Sequence, residues 1–223
     1  MRTRKSAFMY PVTWYLFRLY RLWKLPMVVV PSSVKPPQGP VIVIANHTDL
    51  RDTWLVSTLF KQRIAWFASK NIFKRWFLVR LVPRKVKQGM LAVGGRRFTV
   101  SVLSRFAALV RWNLIRCGPI PVVKDNPKGR DNLAIVSALK QSVAARWSIG
   151  IFPQGGIKPT EQMVNFRGLE LALRVTKYDV VQVYVDYARQ QAQIYRVMRY
   201  EDLLRDGKTL APEAEQLIRE RLQ

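Results

Sequence analysis

The sequence predicts an α/β fold: one domain with a largely parallel central sheet flanked by helices. Three observations predict it. Short apolar, β-branched runs alternate along the chain with segments of helical periodicity, the pattern of strand–helix–strand units. The chain has 223 residues, enough for one domain with a real core and too few for two large ones. Hydrophobic residues make up 49% of it, which excludes an intrinsically disordered chain.

Taken in order, residues 1–25 begin with Arg2, Arg4 and Lys5, continue through an uncharged run from Ser6 to Phe17, and then carry Arg18, Arg21 and Lys24 among Leu, Tyr and Trp. The uncharged run is shorter than the roughly 18–20 residues that span a bilayer. Pro11, the bulky aromatics and the lack of a small-residue cleavage site exclude a signal peptide. The spacing predicts a helix lying in a membrane interface, aromatics down and cations against lipid phosphates, with packing on the core as the alternative. Val28 to Val30 predicts a short strand, and Pro31 to Pro40 a rigid connector. Val41 to Ala45 is apolar on both faces and predicts a buried strand. Residues 52–61 predict a helix, Arg63 to Ala68 a strand, and Lys70 the head of another helix. The segment 71–117 mixes Lys and Arg with Trp, Phe, Leu and Val; it predicts at least two basic amphipathic helices, the second from about Phe98 to Arg116. Gly118 turns into a strand ending at Lys124, and Asp131 or Asn132 is expected to cap a helix through Ala145. Trp147 to Phe152 predicts a strand and Phe166 to Thr176 a helix. Val180 to Asp186 and Ala192 to Met198 predict two paired strands, and Glu213 to Leu222 a terminal helix. The organisation expected is therefore residues 1–30 as an interface helix and short strand, and 31–223 as the α/β domain.

The charge narrows the partners. Lys plus Arg is 38 against 14 Asp plus Glu, a formal +24. Residues 1–160 hold 28 of the basic groups and only Asp49, Asp52, Asp125 and Asp131 as acids; residues 161–223 balance 10 against 10. Such a surface meets nucleic acid, anionic lipid or phosphorylated substrates. Cations paired with Trp and Phe suit a lipid interface, and no recognised nucleic-acid module is present, so an anionic membrane surface is the expected partner and nucleic acid is not. One histidine and one cysteine, Cys117, exclude an internal disulfide and argue against a metal site. Cys117 reads as packing.

The chemistry gathers after the strongest strand. Asn46-His47 follows it, and Asp52 stands five residues after His47. A histidine is suited to proton transfer near neutral pH, and a carboxylate can orient its ring and stabilise the imidazolium. The plainer reading is a histidine that satisfies a turn. Lys70 follows in Phe67-Ala68-Ser69-Lys70, then Gly118 to Lys124, then Phe152-Pro153-Gln154-Gly155-Gly156, and lastly Phe166-Arg167-Gly168.

In that order these parts resemble the lysophospholipid acyltransferase superfamily, which includes the glycerol-3-phosphate and 1-acylglycerol-3-phosphate acyltransferases; the resemblance covers about residues 40–186. It implies that His47 takes the proton from a lysolipid hydroxyl attacking an acyl thioester, with Asp52 behind it, no acyl-enzyme and no cofactor. The thioester, from acyl-CoA or acyl carrier protein, would be the co-substrate. The chain has no Gly-x-Ser-x-Gly nucleophile elbow, which fits. Backbone N–H groups around Gly155 and Gly156 are expected near a phosphate or the developing oxyanion. Lys70, Lys124 and Lys158 are the expected phosphate contacts, each of which reads equally as surface charge. The sequence departs from the usual Phe-Pro-Glu-Gly-Thr-Arg: Gln154 replaces Glu, Gly156 replaces Thr, and Ile157 takes the arginine's place, with Lys158 next. Lys124 stands where the family usually ends its strand in arginine; lysine binds phosphate as a point charge, without the guanidinium fork. These departures leave the acceptor open between 1-acylglycerol-3-phosphate and a lipid alcohol or glycolipid without a terminal phosphate. They also raise a member that binds lipid without turning it over, and a cationic nucleic-acid binder stands as the non-enzymatic alternative. The expected location is peripheral or monotopic on the cytoplasmic face of a membrane.

Overall fold

In the computed structural model, which describes residues 15, 28–29, 34, 37–47, 49, 52–74, 79, 84–116, 118–122, 129–155 and 166–220, strand β2 (Ile42–Ala45) is the middle strand of a sheet of seven. The others are β1 (Val28–Val29), β3 (Ile64–Ser69), β4 (Ile120–Val122), β5 (Ser148–Ile151), β6 (Val180–Asp186) and β7 (Gln191–Met198), in the order β1-β7-β6-β2-β5-β3-β4. From β6 to β4 every neighbouring pair is parallel, and β6 pairs antiparallel with β7. This is the mixed, largely parallel sheet that the alternating pattern predicts.

Ile-Val-Ile-Ala fits the middle position because both faces of β2 are covered. Ile42 and Ile44 join Ile149, Ile151 and helices α3 (Gly129–Ala144), α4 (Arg167–Thr176) and α5 (Pro212–Arg219) in one core layer. Val43 and Ala45 face the other layer, with Leu55 and Val56 of α1 (Asp52–Ser57) and with Ile64, Trp66, Val181 and Val183. Period-two alternation sorts the strand residues into these layers. Helix α4 shows the complementary period: Leu169, Ala172, Leu173 and Thr176 are its buried stripe. Gln182, buried in β6, donates from its side-chain nitrogen to the Ile218 carbonyl at 3.1 Å and so ties α5 to the sheet.

Several elements differ from the sequence expectation. Helix α1 stops at Ser57 rather than residue 61, because Ser57 and Thr58 turn their hydroxyls onto the carbonyls of Thr53 and Leu55 and the chain reverses toward β3. Lys70 heads a single 3-10 turn, Lys70–Phe73. Asp131 is not the cap of α3 but lies inside its first turn, since the helix already starts at Gly129. The basic segment does follow the expectation: its described residues form two helices, labelled together α2 (Arg84–Arg116), which meet at a kink at Gly95, close to the expected start of the second at Phe98; the Gly95 φ of 68° is one that only glycine adopts freely. Leu91, Val93, Phe98 and Val100 are exposed around that break, while Thr99, Leu103 and Ala107 are buried. Of the expected N-terminal helix, Tyr15 is helical and exposed; the rest of residues 1–25 lies outside the described residues. No helix among the described residues is long and apolar enough to cross a membrane.

Gly150 of β5 sits opposite Trp66 of β3. A Cβ at Gly150 would lie 2.4 Å from the Trp66 indole and 2.8 Å from an Ile64 methyl. Gly150→Ala is therefore expected to cost about 1–3 kcal/mol by overpacking, with a fall of roughly 2–4 °C in melting temperature per kcal/mol. An unchanged melting curve would contradict this packing.

Candidate active site

Five parallel strands end at the same edge of the sheet, and the expected functional residues lie just beyond those ends. His47 follows β2, Lys70 follows β3, and Phe152 to Gly155 follow β5. In open α/β sheets this edge is where sites form, at the point where the strand order reverses. Here β2 has β5 on one side and β6 on the other, so the His47 loop stands at such a point.

Two anchors hold that loop. Asn46 continues the ladder sideways: its amide nitrogen donates to the Val185 carbonyl and its carbonyl oxygen accepts from Val185 N–H, each at 2.8 Å. The backbone N–H of His47 then donates to Oε1 of Gln154, which is 4% exposed. The second anchor is Asp52 at the start of α1. Its Oδ2 accepts from Asp49 N–H at 2.8 Å, the reach-back of an acidic side chain to a backbone donor three residues earlier. The same oxygen stands 3.1 Å from Nδ1 of His47. One side chain thus caps its own helix and holds the imidazole, which explains the spacing of five.

The Asp52 side chain is fully buried and the His47 side chain is 13% exposed, so the ring keeps one accessible side. A carboxylate accepting at Nδ1 leaves the lone pair on Nε2. The ring face is fixed as well. Phe152 stacks on His47 with centroids 4.1 Å apart and planes 15° apart, and on Trp66 at 4.5 Å and 12°. Trp66 in turn donates from Nε1 to the Ser57 hydroxyl at 2.9 Å. Helix α1 therefore fixes the imidazole edge through Asp52 and the far end of the stack through Ser57. A histidine held this way can accept a proton from a hydroxyl placed at Nε2 and return it to a leaving group.

Phe152-Pro153-Gln154-Gly155 is a β-turn, closed by Gly155 N–H donating to the Phe152 carbonyl at 2.9 Å. Proline second and glycine fourth suit such a turn. Pro153 is buried, and Gly155 is exposed with φ of 66° and open space around it. Of the backbone N–H groups expected around Gly155 and Gly156 near a phosphate or an oxyanion, that of Gly155 donates within the turn, and glycine suits the place for its dihedral angle. Lys70 is 62% exposed and pairs with Asp131 at 3.5 Å, so its charge is partly engaged by the protein itself. Lys124, Gly156 and Lys158 lie outside the described residues. Asn46, Trp66 and Tyr187 belong to the site without having been singled out by type. For Asn46 and Tyr187 the available signal is position, because each lies just beyond the carboxyl end of a strand; Trp66 lies in the first half of β3 and carries no such signal.

Fold and site together define an α/β protein with a histidine–carboxylate pair at the carboxyl edge of its sheet. The family model Acyltransferase matches residues 27–185, most of the chain and both residues of the histidine–carboxylate pair. The chain belongs to that family and is an acyltransferase, as its motif order implies. The crystal structure of the 1-acyl-sn-glycerophosphate acyltransferase PlsC from Thermotoga maritima is similar over 100% of this chain and 82% of that one, with a TM-score of 0.57 and 16% identity. That likeness confirms the fold. A search of curated proteins found no match.

Gln154 stands where the family usually has a carboxylate, yet its amide oxygen still receives the His47 N–H. Gln154→Leu is expected to strand that donor and cost about 1–3 kcal/mol in urea unfolding. Gln154→Glu, which keeps an acceptor oxygen, is expected to lose less. Equal stability of Gln154→Leu and the unmodified protein would contradict the contact.

Proposed function

We propose that the protein transfers an acyl chain from acyl-CoA or acyl carrier protein to the hydroxyl of a lysophospholipid such as 1-acylglycerol-3-phosphate, with His47 as general base and Asp52 as its partner. The carrying observation is the fully buried Asp52 carboxylate at Nδ1 of a histidine that remains partly exposed. The hydroxyl oxygen attacks the thioester carbonyl carbon as its proton passes to Nε2. The C–S bond then breaks, the imidazolium returns the proton to the departing thiolate, and an ester and a free thiol result. Asp52 stabilises the imidazolium between these transfers. His47 activates the acceptor directly, so no acyl-enzyme forms.

The surface supports a lipid setting. Helix α2 carries eight Lys or Arg and no acid over Arg84–Arg116, and it exposes Leu91, Val93, Phe98 and Val100. Cations and apolar side chains together favour an anionic membrane surface, and the proposed location is peripheral or monotopic on its cytoplasmic face. The same positive surface suits the phosphates of CoA or an acidic carrier protein. A second acceptor class, a lipid alcohol or glycolipid without a terminal phosphate, is favoured by Ile157 in the arginine's place and by the engagement of Lys70 with Asp131. The fit of Gln154 argues against a member that has lost turnover, because its oxygen supports His47 as a carboxylate oxygen would.

His47→Ala is expected to lower transfer by about 10²–10⁴-fold while the fold and vesicle binding survive. Retained turnover would remove His47 from the mechanism. Mass spectrometry of lipids formed from labelled acyl-CoA and a panel of lysolipids is expected to show an acylated phosphatidate-type product. Exclusive acylation of phosphate-free alcohols would move the assignment to the second acceptor class.

A further inference from the structure

Resting on the reading of His47 as the base, we propose that Tyr187 is a positioning residue of the dyad. Its hydroxyl fixes the rotation of the Asp52 carboxylate and thereby the tautomer and aim of the imidazole. Tyr187 lies beyond the segment matched by the family model, which ends at residue 185.

A carboxylate has two oxygens, and the torsion that turns them is soft. Oδ2 of Asp52 already serves His47 Nδ1 and Asp49 N–H. Bonds to that oxygen leave the carboxylate plane freer to turn than bonds to both oxygens do. The Tyr187 hydroxyl donates to Oδ1 at 2.6 Å, within the short range of bonds between a hydroxyl and an ionised oxygen. With both oxygens engaged the plane is set. Burial makes this bond count for more, because Asp52 is 0% exposed and water cannot replace a missing donor freely.

The fold explains why this tyrosine reaches the site. It is the first residue after β6, the neighbour of β2. Two residues earlier, Val185 is clamped on both backbone groups by Asn46. The turn that follows is closed by Arg189 N–H on Asp186 Oδ1 at 3.0 Å. The ring packs against the apolar layer that includes Leu55 and Val56 of α1. The β6–β7 turn therefore grips the His47 loop at Asn46 and α1 at Asp52.

Tyr187→Phe keeps the ring and deletes the donor. In a thiol-release assay with palmitoyl-CoA and a lysophosphatidate acceptor, kcat is expected to fall about tenfold, the scale of one lost bond to a charged group. KM is expected to stay within about twofold. Because the chain has a single histidine, ¹⁵N spectra of its imidazole report His47 alone, and the share of the Nδ1–H tautomer is expected to drop. In an Asp52→Asn background, Tyr187→Phe should change neither reading further. An unchanged kcat and tautomer in Tyr187→Phe, or the same loss in both backgrounds, would overturn the proposal. So would a variant that no longer melts cooperatively, since the hydroxyl would then be a strut of the fold. His47→Ala run alongside separates the two claims: if it turns over normally, the base assignment fails; if it is dead while Tyr187→Phe is normal, only the role of Tyr187 fails.

Discussion

A carboxylate buried out of water must be met by donors or it destabilises the fold that contains it. Asp52 is that carboxylate, and three of its partners come from three places in the chain: the imidazole of His47, the N–H of Asp49 and the hydroxyl of Tyr187. Meeting its needs ties the end of β2, the start of α1 and the turn after β6 into one unit. The same bonds that make the charge tolerable also place the ring. Structural stability and proposed chemistry thus share one group, and neither can be altered there alone.

Parallel topology does the assembly. Residues separated by 107 positions, His47 and Gln154, meet because β2 and β5 run side by side in one direction and end together. Trp66 reaches the same place from β3 because Gly150 leaves room for its indole across the ladder. The ring stack of His47, Phe152 and Trp66 therefore draws on three adjacent strands, two rings from just beyond the ends of β2 and β5 and one from within β3. An antiparallel sheet would alternate those ends between opposite edges. The histidine is also restrained in every direction that matters: in its plane by Asp52, on one face by Phe152 and at its backbone by Gln154. Such restraint is the structural condition for a base that must meet a hydroxyl without reorganising.

The layout of the sheet was legible because its signals are local. Val41 to Ala45 is β-branched and apolar, and it became the middle strand; Val180 to Asp186 alternates and became β6 with the same bounds. His47 and Asp52 were legible as a pair because the bond between them is made within five residues. Tyr187 was not, since its partner lies 135 residues away and a tyrosine after a strand has no distinctive local signature. In the sequence, Gln154 shows only as a departure from a motif. Only the backbone N–H opposite it shows that an amide oxygen suffices. The short α1 and the early start of α3 were missed because hydroxyl back-bonding and first-turn acids shift helix ends by a few residues without changing periodicity.

The central claim is that one restrained imidazole activates the acceptor rather than receiving the acyl chain itself. Stopped-flow thiol release from acyl-CoA, with intact-mass analysis of the protein, tests it most directly. The account predicts no thiol burst and no added mass until the lipid alcohol is supplied, and then release of one thiol for each ester formed. A stoichiometric burst without acceptor, with the acyl mass on the protein, would contradict it.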